Sequence, residues 1–254
     1  MTAQDKMASL FLPGVPVNHI LQRLTDAGGK EIESGKLASP ESSAALAVNC
    51  FGWFIPRLHL LPSFPDLEEV GRVQLVDVEF CARFPWSGGR HPWLDAVIQT
   101  SSMLIGVESK RYEPFRDAKK VDLSPAYDRD VWGPNMRRFE DLRDQLRSGE
   151  TKFEYLDGAQ LLKHAFGLVT EGRRRDRVPV LAYIYAEPRT RSGKPIDAEM
   201  IREHRAEADR FGNSVAGDDV RFIHSSYRDW LAHWNEGNPE LTAHRDRVVE
   251  RFDP

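Results

Sequence analysis

The segment HPWLDAVIQTSSMLIGVESKRYEPF, residues 91–115, constrains this chain more than any other. Two runs rich in aliphatic and β-branched residues, about Leu94 to Thr100 and Met103 to Arg111, flank a Ser101-Ser102 pair and predict a β-hairpin. Side chains alternate along a strand, so Leu104, Gly106, Glu108 and Lys110 share one face while Ile105, Val107 and Ser109 take the other. If Ser101-Ser102 forms a two-residue connection, Thr100 faces Met103, and the same register carries Asp95 opposite Glu108. Directly opposed residues hold their Cβ atoms about 4.5–5.5 Å apart on one face. Ser-Ser is not a favoured hairpin turn, and a longer loop would shift the pairing.

Two carboxylates at that separation repel unless one is protonated or a cation bridges them. A hard ion with oxygen ligands, Mg²⁺ or Mn²⁺, suits such a pair, and the backbone carbonyl of Ser109 could add a ligand. The expected site is therefore Asp95, Glu108 and Lys110, with Asp95, Glu108 and Ser109 as metal ligands. Such an ion would polarise a phosphate and acidify a bound water, while Lys110 positions that water or offsets phosphoryl charge. The plainer reading is a surface hairpin bearing a Glu-Lys pair. Against it, LIGV and AVI bury both strands at their centres, where charges without a purpose are costly.

The surrounding pattern predicts a mixed sheet flanked by helices, an α/β fold. A short helical pattern runs to Asp26 and stops at Gly28-Gly29. Ser39-Pro40-Glu41 then reads as a helix start, with Ser39 as N-cap and the helix reaching about Phe51. A strand is expected over Val73 to Arg83, helices over Met136 to Arg147 and Asp157 to Thr170, and a buried strand over Val178 to Tyr185. Asp197 to Phe211 reads as a charged helix, Val220 to His224 as a strand, and Tyr227 to Asn235 and Glu240 to Phe252 as helices. One domain spanning 1–254 is expected, with a core over about 40–190 and a helical extension over about 197–254.

A formal net charge of -4 argues against a passive nucleic-acid coat, but less against an enzyme whose basic surface is local. No apolar run reaches the length of a membrane span, and residues 1–6 lack the order of a secretory signal. Cys50 and Cys81 sit in apolar stretches and are expected as reduced thiols in the cytoplasm.

Asp95 followed by Glu108-Ser109-Lys110 resembles the PD-(D/E)xK signature, with the leading proline displaced to Pro92. The blocks ESSAALAVNCF, LDAVI, IGVESKRYE and AQLLKHAFGL resemble a bacterial group of restriction-endonuclease-like proteins and together span roughly residues 40 to 190. The resemblance implies a restriction-endonuclease-like fold and divalent-metal-dependent cleavage of phosphodiester bonds, usually in DNA. It also draws in further acids: Glu79 on the first strand, Glu41 at the start of the preceding helix, and Glu113 beyond the lysine. Arg111 departs from the aromatic residue expected at its position. Gln160, with His164 one turn on, matches the glutamine that often fixes the lysine or the substrate.

The basic runs Arg137-Arg138 and Arg173 to Arg177 suit phosphates, although such runs are more often solvated loops. Six tryptophans could stack on unpaired bases, but core packing is the better expectation for most. A homodimer is compatible with all this. Two rivals stand beside the nuclease: the same fold binding DNA without cutting it, and a protein-interaction module using the acids only structurally.

Overall fold

The computed structural model describes residues 7–67, 70–234 and 237–254. Residues 1–6 and the expected helix end at Asn235 lie outside them. In chain order the elements are α1 (Val17–Asp26), α2 (Ser43–Gly52), β1 (Val73–Cys81), β2 (Trp93–Thr100), β3 (Met103–Lys110), a single turn α3 (Glu113–Arg116), α4 (Arg137–Ser148), α5 (Gly158–Arg175) and β4 (Val178–Tyr185). There follow a two-residue-per-strand hairpin of β5 (Thr190–Arg191) and β6 (Lys194–Pro195), then α6 (Ala198–Val215), β7 (Arg221–Ser226), α7 (Tyr227–Ala232) and α8 (Pro239–Phe252).

Five strands form one mixed sheet in the order β1-β2-β3-β4-β7. The first three run as an antiparallel meander, and β4 and β7 then add in parallel to β3. The β2–β3 register is Ala96↔Val107, Val97↔Gly106, Ile98↔Ile105 and Gln99↔Leu104, the pairing that a two-residue turn demands. Thr100 explains why Ser-Ser serves here: its Oγ accepts the N–H groups of Ser102 and Met103 at 3.2 and 2.9 Å, closing the turn through a side chain.

Each face of the sheet buries its own core. Val78, Ile98, Ile105, Val107 and Val180 pack with Leu46, Phe51, Trp230 and Val248 on the side of α2, α7 and α8. Val97, Leu104 and Leu181 pack with Leu142, Phe166, Leu168 and Phe211 on the side of α4, α5 and α6. Gly106 lets α5 approach, because a Cβ there would stand 2.6 Å from Leu94 Cδ1 and 2.8 Å from Leu168 Cδ2.

Two local expectations need correction. The N-cap of α2 is Ser42, whose side chain accepts from Ala45 N–H at 3.0 Å, and not Ser39. Residues 39–42 instead form a turn, Ser42 N–H reaching Ser39 O at 3.1 Å, while Arg116 and Arg191 draw the Glu41 carboxylate away from the helix start. Helix α5 also runs beyond Thr170, so Arg173, Arg174 and Arg175 form its last turn and not a loop.

Candidate active site

Strands β1, β2 and β3 set three acids in a row. The β1–β2 pairing, Val78↔Ala96 and Phe80↔Leu94, brackets Glu79 opposite Asp95. The β2–β3 register continued by one residue brings Asp95 opposite Glu108. Asp95 Oδ2 accepts the backbone N–H of Ser109 at 2.7 Å, taking the place of a strand carbonyl where the ladder ends. Glu79 sits in the left-handed region at φ 53°, a local break within β1.

Lys110 and Glu108 point the same way and form an ion pair. The other Glu108 oxygen lies 2.9 Å from His164 Nε2, reached from α5, without the alignment of a hydrogen bond. Glu108 is 2% exposed and His164 likewise. Burial alone would raise the Glu108 pKa, but Lys110 and His164 outweigh it and hold the carboxyl at about 2. Lys110 in turn is held above the usual lysine range: burial opposes its charge, and Glu108 and Asp95 more than compensate.

Asp95 responds in the opposite sense. Burial, then the charges of Glu108 and Glu79, push its pKa well above the ordinary value against the pull of Lys110 and the Ser109 N–H. Glu79 is raised to about 7, by burial first and then by Glu31 and Glu108, with Arg23 opposing. A row in which the Glu108 charge raises both Asp95 and Glu79 is a place where a hard divalent cation would relieve repulsion. Asp95 and Glu108 are the pair able to hold it. Among the described residues no three His, Cys, Asp or Glu side chains converge as a ready-made cage, so backbone and substrate oxygens would have to complete the shell.

The supporting candidates divide. Glu113 accepts from Ser43 Oγ at 2.6 Å and from Arg111 N–H at 2.8 Å, so it ties α2 to the end of β3. Gln160, Glu113 and Lys110 line one cavity of about 170 Å³ together with Lys119, Asp157 and Tyr183. Glu41 stands apart, clamped by Arg191 and Arg116 at 2.9 and 2.8 Å. The cost of its partial burial is outweighed by these two guanidinium groups, which leave its pKa lowered.

The remaining candidates play structural parts. Arg173 pairs with Asp219, and Arg174 and Arg175 with Glu171. Rising 1.5 Å per residue, α5 places them roughly 20 Å from Gln160. Trp53, Trp132, Trp230 and Trp234 are core residues, as expected for most of the six. Cys50 and Cys81 are free.

Three neighbours of the site escape a reading of the sequence. His164 was visible as the partner of Gln160 at helical spacing, yet nothing in the sequence pointed it at Glu108. Tyr183 faces the cavity because β4 pairs in parallel with β3, Glu108↔Tyr183, which no local pattern announces. Tyr227 shares a 2.8 Å hydrogen bond with Ser109 Oγ across 118 residues.

No curated protein and no solved structure matches the chain. A family model described as "Restriction Endonuclease associating with ARP" matches residues 5–252. The acid-and-lysine hairpin, the mixed sheet around it and a match over nearly the whole length agree, and the chain belongs to this restriction-endonuclease-like family.

Proposed function

We propose that this protein is a metal-dependent nuclease that hydrolyses phosphodiester bonds in nucleic acid, DNA foremost, at a site made by Asp95, Glu108 and Lys110. The observation that carries the reading is the crowding of Asp95 between Glu79 and Glu108, with Lys110 ion-paired beside them at the end of β3. Asp95, Glu108 and the Ser109 carbonyl would hold Mg²⁺ or Mn²⁺. Bound there, the ion would polarise the scissile phosphate and lower the pKa of a water.

The chain's own groups do the rest. Ser109 N–H fixes one Asp95 oxygen and leaves the other free to ligate. Glu108, contacted on its other oxygen by His164, keeps Lys110 charged and oriented together with Asp95, so its ammonium can place the attacking water or meet the phosphoryl oxygens. Gln160 and Tyr183, on the walls of the same cavity, are suited to contact the substrate next to Lys110. We take residues 1–254 as one catalytic unit, and the association with ARP in the family's description as a partnership with a second chain.

The test is cleavage of plasmid and single-stranded DNA with Mg²⁺ or Mn²⁺, beside Asp95→Asn and Lys110→Ala. Each substitution is expected to lower the rate by about 10²-fold or more, the order seen when a group that stabilises the transition state is removed. Cleavage that persists undiminished in Asp95→Asn would overturn the assignment of the site.

A further inference from the structure

The loop joining β1 to β2 is seated beside the catalytic strands. Ala82 N–H donates to Pro92 O at 2.9 Å and closes the loop at its base. A Cβ on Gly167 of α5 would stand 2.7 Å from Ala82 Cβ and 3.1 Å from Pro92 Cγ, so that base rests directly on the helix. The loop therefore leaves the sheet three residues before Asp95, next to the face of α5 that carries Gln160, Lys163 and His164.

Between this loop and residues 122–127 lies a groove of about 360 Å³. Its floor is aromatic. Phe84, 2% exposed, stacks beneath Trp86 with centroids 4.8 Å apart, and buried Trp132 meets Trp86 edge-on at 5.4 Å. Trp86 itself is partly exposed, unlike the four core tryptophans. Arg129, exposed, lies with its guanidinium 4.5 Å from the Trp86 ring centre and covers its outer face.

The rim is cationic. Arg90 is exposed and makes no ion pair among the described residues. Among the described residues Lys163 pairs only with Asp122, at 3.8 Å, a carboxylate whose side chain is 93% exposed. Asp122 is the groove's only acidic lining residue among the described residues.

Resting on the nuclease reading above, we infer that this groove holds an unpaired nucleobase of the substrate strand, with its phosphate on Arg90 and Lys163. Bases stack on guanidinium planes as they do on indoles, so the base enters on top of Arg129 or in its place against Trp86. A base inside an intact duplex has both faces covered by its neighbours and cannot use such a surface. The groove thus selects single-stranded or locally unpaired nucleic acid beside the cleavage site.

The test measures binding without cleavage, by fluorescence anisotropy in the absence of divalent metal. The probes are a labelled single strand, the matching full duplex, and a duplex with a short unpaired gap. Wild type is expected to bind the unpaired probes about tenfold or more above the duplex. Trp86→Ala and Arg90→Ala should each remove most of that preference, and Trp86→Phe should keep it. Arg90 is exposed and its loss leaves the fold intact, so a misfolded Trp86→Ala cannot hide the answer.

Equal binding of duplex and single strand by wild type, or no change on Arg90→Ala and Trp86→Ala, overturns the inference while leaving the nuclease reading standing if metal-dependent cleavage persists. Competition by free mononucleotide as strong as by a single strand overturns the strand reading in favour of a nucleotide ligand. Failure to bind any nucleic acid without metal overturns the inference, and absence of cleavage with Mg²⁺ or Mn²⁺ as well defeats the nuclease reading.

Discussion

Among the site's side chains, Asp95 and Glu108 are the same chemistry driven in opposite directions. Glu108 lies beside Lys110 and His164 and stays ionised, at about 2, whereas Asp95 has two acidic neighbours and is pushed up. A carboxyl whose folded pKa is raised contributes stability that is lost as pH climbs through that value. At neutral pH without metal, Asp95 therefore opposes folding. Asp95→Asn, whose amide oxygen can still accept from Ser109 N–H, should melt higher than wild type by roughly 2–4 °C, the shift that about 1 kcal/mol produces at this size. Mg²⁺ is expected to raise the melting midpoint of wild type and not that of this variant; thermal melts with and without the ion check both. Glu79 extends the argument to pH. With its pKa raised to about 7, the folded state binds a proton that the unfolded state has released, so stability should fall between about pH 4.5 and 7 and then level. Glu79→Gln should flatten that stretch of the metal-free melting curve. A slope unchanged by the substitution would show that another group titrates there. Its left-handed backbone costs a non-glycine residue about 1–2 kcal/mol more, which suits a position kept for something other than stability.

At the level of elements, the hairpin was legible from sequence and its surroundings much less so. Alternation and the lengths of two apolar runs were enough to give the register, because a slip of one residue would have turned Ile105 and Val107 out of their core. The proposed site residues Asp95, Glu108, Ser109 and Lys110 all lie on that one hairpin. What could not be read was whatever arrives from a distance. Glu79 comes opposite Asp95 only through the β1–β2 pairing, and His164 and Tyr183 meet the trio only through α5 and β4. The start of α2 was misread because Ser39 and Ser42 both suit a cap, and only the pull of Arg116 and Arg191 on Glu41 separates them. Packing between hairpin and helix turns on Gly106, where β3 passes beneath Leu168. Gly106→Ala should cost about 1–3 kcal/mol by overpacking and push α5 away from β3. Cleavage should then fall more steeply than stability as His164 and Gln160 withdraw from Glu108 and Lys110. Denaturant melts and rates on one protein stock would check this, and equal losses in both would argue that α5 only covers the sheet.

Across the whole molecule, the strand that carries Glu108 and Lys110 is tied to parts of the chain far from it in sequence. Arg111, 6% exposed and just past Lys110, donates to the backbone carbonyls of Pro40 and Phe252. It joins the approach to α2, the end of α8 and the site in one side chain. Arg111→Ala would leave two carbonyls unpaired and should cost about 3 kcal/mol, seen as a fall of roughly 6–12 °C in melting midpoint. Arg111→Lys should recover only part, because an ammonium cannot span both acceptors as the planar fork does.

The meander also carries a consequence in time. Strands β1 to β3 are neighbours in sequence as well as in space, whereas β4 must return across α3, α4 and α5, and β7 across α6. Hairpins close within microseconds, and pairings across long separations come later. Glu79, Asp95, Glu108 and Lys110 all belong to the part of the chain that can close on itself first. A meander that closes first gathers the acids before His164 arrives to pair with Glu108, so a divalent cation that binds them is expected to speed refolding, which refolding rates with and without Mg²⁺ would check.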